Sequence, residues 1–188
     1  GLSGLGSVYT VTVNTGSGSG TIRLNVLDDD TIKDDSLNPL GAGLLSGQTY
    51  TIEKSAPIVS SSIRANANPT NLASVDFTVT FSEPVIGVDL SDFSLTTSGV
   101  SSPAVSGLSG TGSVYTVSVN TGSGNGTIRL NVLDDNSIID AVSNPLFAGF
   151  TSGETYTVSK AATVATFSDV PLTYWASSYI ERLYNAGI

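Results

Sequence analysis

The side chains of this chain best placed to do chemistry are carboxylates. Asp28-Asp29-Asp30, with Asp34 and Asp35, forms one acidic run, and Asp134-Asp135-Asn136, with Asp140, forms another. Asn38 and Asn144 follow closely. Closely spaced Asp and Asn oxygens suit calcium, a hard cation that takes about six to eight oxygen ligands. A bound ion would offset repulsion between neighbouring carboxylates and stiffen the loop. The candidate ligands are Asp28, Asp29, Asp30 and Asp34 in the first run, and Asp134, Asp135, Asn136 and Asp140 in the second. Glu83, Asp89 and Asp92 are weaker candidates. The spacing is not that of an EF-hand, whose glycine and distal bidentate Glu are missing. The same residues equally suit Asx turns with solvated carboxylates, so no cofactor is required and calcium is an option.

Catalytic chemistry has few other materials. The chain contains no His and no Cys, which removes the usual triads, dyads and zinc sites. A carboxylate pair can hydrolyse glycosides, but these carboxylates sit on loops that recur in two copies, which points to architecture. The expectation is that the chain is not an enzyme. The runs Gly16-Ser17-Gly18-Ser19-Gly20 and Gly122-Ser123-Gly124-Asn125-Gly126 lack the Lys and following helix of a phosphate-binding loop and read as hairpin loops. The net charge of −9, with seven Lys and Arg, lacks the basic footprint of a nucleic-acid binder. An anionic bilayer would repel such a surface, and no apolar run approaches the roughly 20 residues that span a membrane.

The loops are positioned by a repeat. Residues 1–54 realign without a gap on residues 107–160, an offset of 106, with about seven positions in ten identical. Thr21-Ile22-Arg23-Leu24-Asn25-Val26-Leu27-Asp28-Asp29 returns unchanged from Thr127 to Asp135. The repeat divides the chain into residues 57–160, one complete unit; residues 1–56, the second half of an earlier unit; and residues 161–188, which begin something else. Pro57, lacking a backbone donor, suits the boundary.

Each unit reads as β structure. Phe77, Val79 and Phe81 alternate with Asp76, Thr78 and Thr80, and the same period two runs through Tyr115, Val117, Val119 and Ile128, Leu130, Val132. Further strands are expected near 63–67, 93–96, 103–108 and 155–159. Seven short strands separated by Gly-, Ser- and Asn-rich turns predict an Ig-like β-sandwich, with a small β-barrel as the competitor. Residues 1–56 are expected to hold three strands, at about 7–13, 21–27 and 48–54. Tyr9, Val11, Val13, Ile22, Leu24 and Val26 would then lack most of their cover. Either these residues belong to a longer polypeptide, or another molecule's strands complete them by β-augmentation into a fibre.

Thr80-Phe81-Ser82-Glu83-Pro84-Val85, Val88-Asp89-Leu90-Ser91-Asp92-Phe93, Leu133 through Asp140 and Asn144-Pro145-Leu146 together resemble the bacterial Ig-like repeats of large surface proteins. That resemblance implies spacer modules outside the cell.

Toward the C-terminus the period changes. Ala176, Ile180, Leu183, Tyr184 and Gly187 fall at helical spacing, with Thr173 placed as an N-cap. Phe167-Ser168-Asp169-Val170, Trp175-Ala176, Tyr179-Ile180 and Gly187-Ile188 resemble the opening of an S-layer homology domain over about its first 22 residues. The resemblance implies noncovalent anchoring to cell-wall polysaccharide at the cell surface. It places Asp169 as a hydrogen-bond partner for a sugar hydroxyl and Trp175 as a surface for a sugar ring; packing and capping are their alternative roles. The family's Thr-Arg-Ala-Glu-like motif does not occur in these residues. Adhesive repeats that bind glycans or neighbouring cells, or a non-catalytic part of a wall-anchored exported enzyme, stand as other readings.

Overall fold

The computed structural model describes residues 1–160, 174–176, 179–180 and 182–183. The described chain is mainly β, arranged in several sheets.

Residues 1–56 hold four short strands, β1 (Leu2–Leu5), β2 (Val8–Val11), β3 (Gly20–Arg23) and β4 (Thr49–Ile52). β1 pairs with β2 and β3 with β4, both antiparallel. β2 and β4 fall inside the expected spans, and β3 begins one residue before its span and ends four residues short of it. β1 is an addition: Gly4 and Gly6 hold positive φ, which turns the chain back so that Leu2 faces Val11.

Residues 57–160 hold β5 (Val59–Arg64), β6 (Ser74–Val85), β7 (Phe93–Ser98), β8 (Ala104–Asn120), β9 (Gly126–Val132) and β10 (Thr155–Val158), with a 3-10 turn at Leu90–Asp92. One sheet has the order β5-β6-β8 and the other β10-β9-β7, with all neighbours antiparallel. β8 combines the two strands expected at 103–108 and 115–119. It doubles back on itself, since Ser106 Oγ donates to Ser118 O at 3.2 Å and Gly110 lies against Tyr115. Pairing of β6 with β8 slips between Thr80 and Val85, where Pro84 has no N–H to give the ladder.

The predicted alternation is what the pleat uses. Val75, Phe77, Val79 and Phe81 of β6 are buried, as are Val117 and Val119 of β8, Ile128, Leu130 and Val132 of β9, and Tyr156 and Val158 of β10. The two sheets share this one core. Phe77 meets Tyr156 edge-on, ring centroids 5.0 Å apart, which joins β6 of one sheet to β10 of the other. The Tyr156 hydroxyl donates to Asp76 O at 2.8 Å and accepts from Asn66 N at 2.8 Å, so the buried ring carries its polar tip to partners.

Candidate functional site

The acidic loop of the complete repeat begins where β9 ends. Leu133 N donates to Asp92 O at 2.7 Å, and Ser137 Oγ donates to Asp92 Oδ1 at 2.7 Å. Asp92 is fully buried, and its other oxygen accepts from Asp89 N at 2.6 Å, closing a capping box around the 3-10 turn. Asp92 thus ties the β6–β7 connection to the acidic loop. Sequence reading ranks it below Asp134 and Asp135; the aspartate three residues after Asp89 is the capping signal that could have raised it.

Asp134, Asp135 and Asn136 are exposed. Asp135 Oδ1 accepts from Ser137 N at 3.0 Å, and Asp134 Oδ1 from Asn136 N at 3.4 Å. Asp140 is buried and turned onto its own loop: Oδ1 accepts from Val142 N at 2.9 Å and Asn144 N at 2.8 Å, and Oδ2 from Asn144 Nδ2 at 2.8 Å. Burial pushes the Asp140 carboxyl up, but hydrogen bonds from the Asn144 side chain and from backbone N–H groups outweigh it and hold it below the usual carboxylate range.

Asp28, Asp29, Asp30 and Asp34 are all exposed. Asp34 nevertheless accepts from Ser36 N at 2.9 Å, Asn38 N at 2.9 Å and Asn38 Nδ2 at 3.0 Å, the pattern of Asp140 repeated without burial. The side-chain hydrogen bond from Thr31, with its backbone N–H, likewise lowers the Asp29 carboxyl. The Asp29 and Asp34 oxygens serve as Asx-turn acceptors. Among the described residues, no three His, Cys, Asp or Glu side chains converge as a metal-binding group.

An apolar opening lies elsewhere. One face of β2, β3 and β4 forms a groove of about 320 Å³ whose lining includes Val11, Val13, Ile22, Leu24, Tyr50 and Ile52. Leu24 and Tyr50 are exposed there, and Ile22 is half-buried. Their counterparts 106 positions later, Leu130, Tyr156 and Ile128, are fully buried beneath β6. The expectation that this face lacks most of its cover holds for Tyr9, Val11, Val13 and Leu24.

No family model, curated protein or solved structure matches this chain.

Of the two residues singled out for sugar contact, Asp169 lies outside the described residues, as does most of the expected helix. Trp175 is 79% exposed, its ring 5.8 Å from that of Tyr174. The Ala176 carbonyl accepts from Tyr179 N at 3.0 Å and Ile180 N at 3.1 Å, and Tyr179, Ile180, Arg182 and Leu183 are helical. Among the described contacts, none joins Trp175 to the acidic loops.

One structural side chain has no role assigned from the sequence. Lys160 Nζ donates to Asn71 O at 3.2 Å, Leu72 O at 2.6 Å and Thr121 Oγ1 at 2.8 Å, latching the end of the repeat onto the β5–β6 connection. Its recurrence as Lys54 was the available signal.

Proposed function

We propose that this chain is a spacer-and-anchor element of a bacterial cell-surface protein. In this reading residues 57–160 are an Ig-like β-sandwich used as a spacer. Residues 161–188 open an S-layer homology anchor that holds cell-wall polysaccharide noncovalently. The observation that carries it is the tandem repeat followed directly by the Phe167–Ile188 signature.

The rest of the molecule is consistent with that use. The two sheets of residues 57–160 bury their apolar residues in one core, as a spacer that must not collapse onto neighbours requires. In the acidic loops Asp29, Asp34, Asp134, Asp135 and Asp140 hold their own backbone. Among the described residues, no helix is long and apolar enough to cross a membrane. Trp175 is exposed, as stacking on a sugar requires.

The test is retention of the protein, expressed from its complete gene, on purified bacterial sacculi. Retention on intact sacculi, lost once the wall polysaccharide is stripped chemically, is the expected result. Equal retention before and after stripping, or none on either, would overturn the reading. Trp175→Phe should weaken retention and leave helix content unchanged; a loss of helix content instead assigns Trp175 to packing.

A further inference from the structure

The open face of residues 1–54 carries more information than its apolarity. Every residue that is buried in 107–160, except Val158, recurs as the same residue 106 positions earlier. Val158 becomes Ile52, which is also apolar. Substitutions between the copies fall otherwise on exposed or half-buried positions of the complete repeat, and Phe150, which packs against the core, is matched by the apolar Leu44. The inward set of the first copy has therefore been kept intact, although in this chain it faces solvent.

Two details outside the apolar set agree. In the complete repeat, a Cβ on Gly126 would lie 1.9 Å from Ser98 O and 2.8 Å from Gly99 C, so β7 packs against a bare backbone there. Its counterpart Gly20 has nothing within 4 Å and does not hold positive φ, so nothing local requires glycine. Lys160 finds two carbonyls of the β5–β6 connection and Thr121 Oγ1. Its counterpart Lys54 keeps the matching Thr15 Oγ1 at 2.9 Å and turns to Gly16 O in place of the missing carbonyls. Space for a strand and a cation for its connecting loop are both held ready.

The chain's own β5–β7 cannot supply the cover. In the complete repeat, Pro57 O accepts from Phe147 N at 2.9 Å at one end of β5. The repeat ends beyond the other end of β5, where Ser159 N donates to Thr70 O at 2.8 Å. The six residues of β5 alone span about 20 Å. To fold β5–β7 onto residues 1–54, the link from Lys54 to Pro57 would have to cross that length. It has three residue steps and reaches at most about 11 Å. A second copy is no better placed, because its β5–β7 already lie on its own β8–β10.

We infer that the face formed by β2, β3 and β4 is a docking surface for an unpaired first-half segment of the same repeat, a polypeptide of the character of residues 57–106. Its recognition features are a strand with the Val-x-Phe-x-Val-x-Phe stripe of Val75 to Phe81, a β7-like strand against Gly20, and loop carbonyls for Lys54. The segment adds main-chain pairing at the sheet edge and fills the groove with its aromatic rings.

The experiment adds a synthetic polypeptide with the sequence of residues 57–106 to the full chain. The expected result is a saturable one-to-one complex by sedimentation, with amide exchange in β2, β3 and β4 slowed about tenfold or more. Gly20→Ala should leave the chain's own unfolding midpoint unchanged and abolish the complex. Unslowed exchange in residues 1–54 overturns the proposal. So does slowing that appears without the polypeptide as chain concentration rises, which would make a second copy the occupant. Should the polypeptide aggregate, its sequence can be fused ahead of Gly1 through the Ser106–Gly107 junction. A second cooperative unfolding transition supports the proposal, and a single transition overturns it.

Discussion

Leu24 and Leu130 occupy the same place in two copies of one nine-residue sequence, Thr21–Asp29 and Thr127–Asp135, yet Leu24 is 45% exposed and Leu130 is 0% exposed. Tyr50 and Tyr156 differ in the same way, at 66% and 0%. Local sequence cannot account for this, because it is shared. The difference lies in what stands opposite: β5, β6 and β7 cover the second copy and nothing in the described chain covers the first. Strand length responds too. β9 pairs on both sides and runs seven residues, whereas its counterpart β3 pairs on one side and runs four. A strand's extent is set partly by its neighbours, since each added pair of residues must offset the entropy of ordering them.

The comparison can be broken most directly by deleting the same atoms in both copies. Leu130→Ala in the full chain should cost the main unfolding transition about 2–5 kcal/mol by denaturant titration. Leu24→Ala should move it by about 0.5 kcal/mol or less, because its side chain is already in water. Equal losses would mean that the first copy is covered in solution.

A smaller effect tests the polar tie between the sheets. Tyr156→Phe leaves Asp76 O and Asn66 N without the hydroxyl, and should cost about 1–3 kcal/mol in the same titration. Tyr50→Phe should leave the transition unchanged, since Tyr50 is exposed.

Acid sharpens the contrast further. Hydrogen bonds hold the Asp140 carboxyl below its ordinary value despite burial. A folded-state value below the unfolded one means the group contributes stability above the unfolded value, about pH 4, and loses it as pH falls through the folded one. The melting temperature of the main transition should therefore decline below about pH 4. Asp140→Asn should lower it at neutral pH and flatten that decline. Asp34→Asn should change neither, although Asp34 makes the same hydrogen bonds, because the segment it orders belongs to no covered core.

The smallest expected effect concerns calcium. Asp29, Asp34, Asp134, Asp135 and Asp140 accept from backbone N–H groups, and no three carboxylates converge among the described residues. The melting temperature in calcium should match that in chelator. A rise with calcium, removed by Asp134→Ala, would instead make the loop a cation site.

Much of this was legible in the residues themselves. Period-two alternation identified the inward residues of β6, β8 and β9, because a pleated strand sends successive side chains to opposite faces whatever it packs against. The offset of 106 matched the two copies residue by residue and identified the face of residues 1–56 that lacks cover. The doubling back of β8 was less legible: Gly110 and Gly112 signal a turn only once Tyr115 is known to lie against the first arm. The role of Asp140 was open between ligand and loop acceptor, since both need an acidic side chain followed by Asn, and only the direction of the side chain separates them. Asp92 and Lys160 were harder still, as their partners, Ser137 and the carbonyls of Asn71 and Leu72, lie dozens of residues away.

Composition, alternation and repetition determined by themselves that this chain is β-rich, that it is built from a duplicated unit, and which side chains seek burial. They could do so because strand periodicity and turn chemistry are local properties of the backbone. Tertiary structure alone decided which remote groups meet, Asp92 with Ser137 and Lys160 with the carbonyls of Asn71 and Leu72. Such pairings depend on how the two sheets bring distant loops together, which the periodicity of a single strand does not encode.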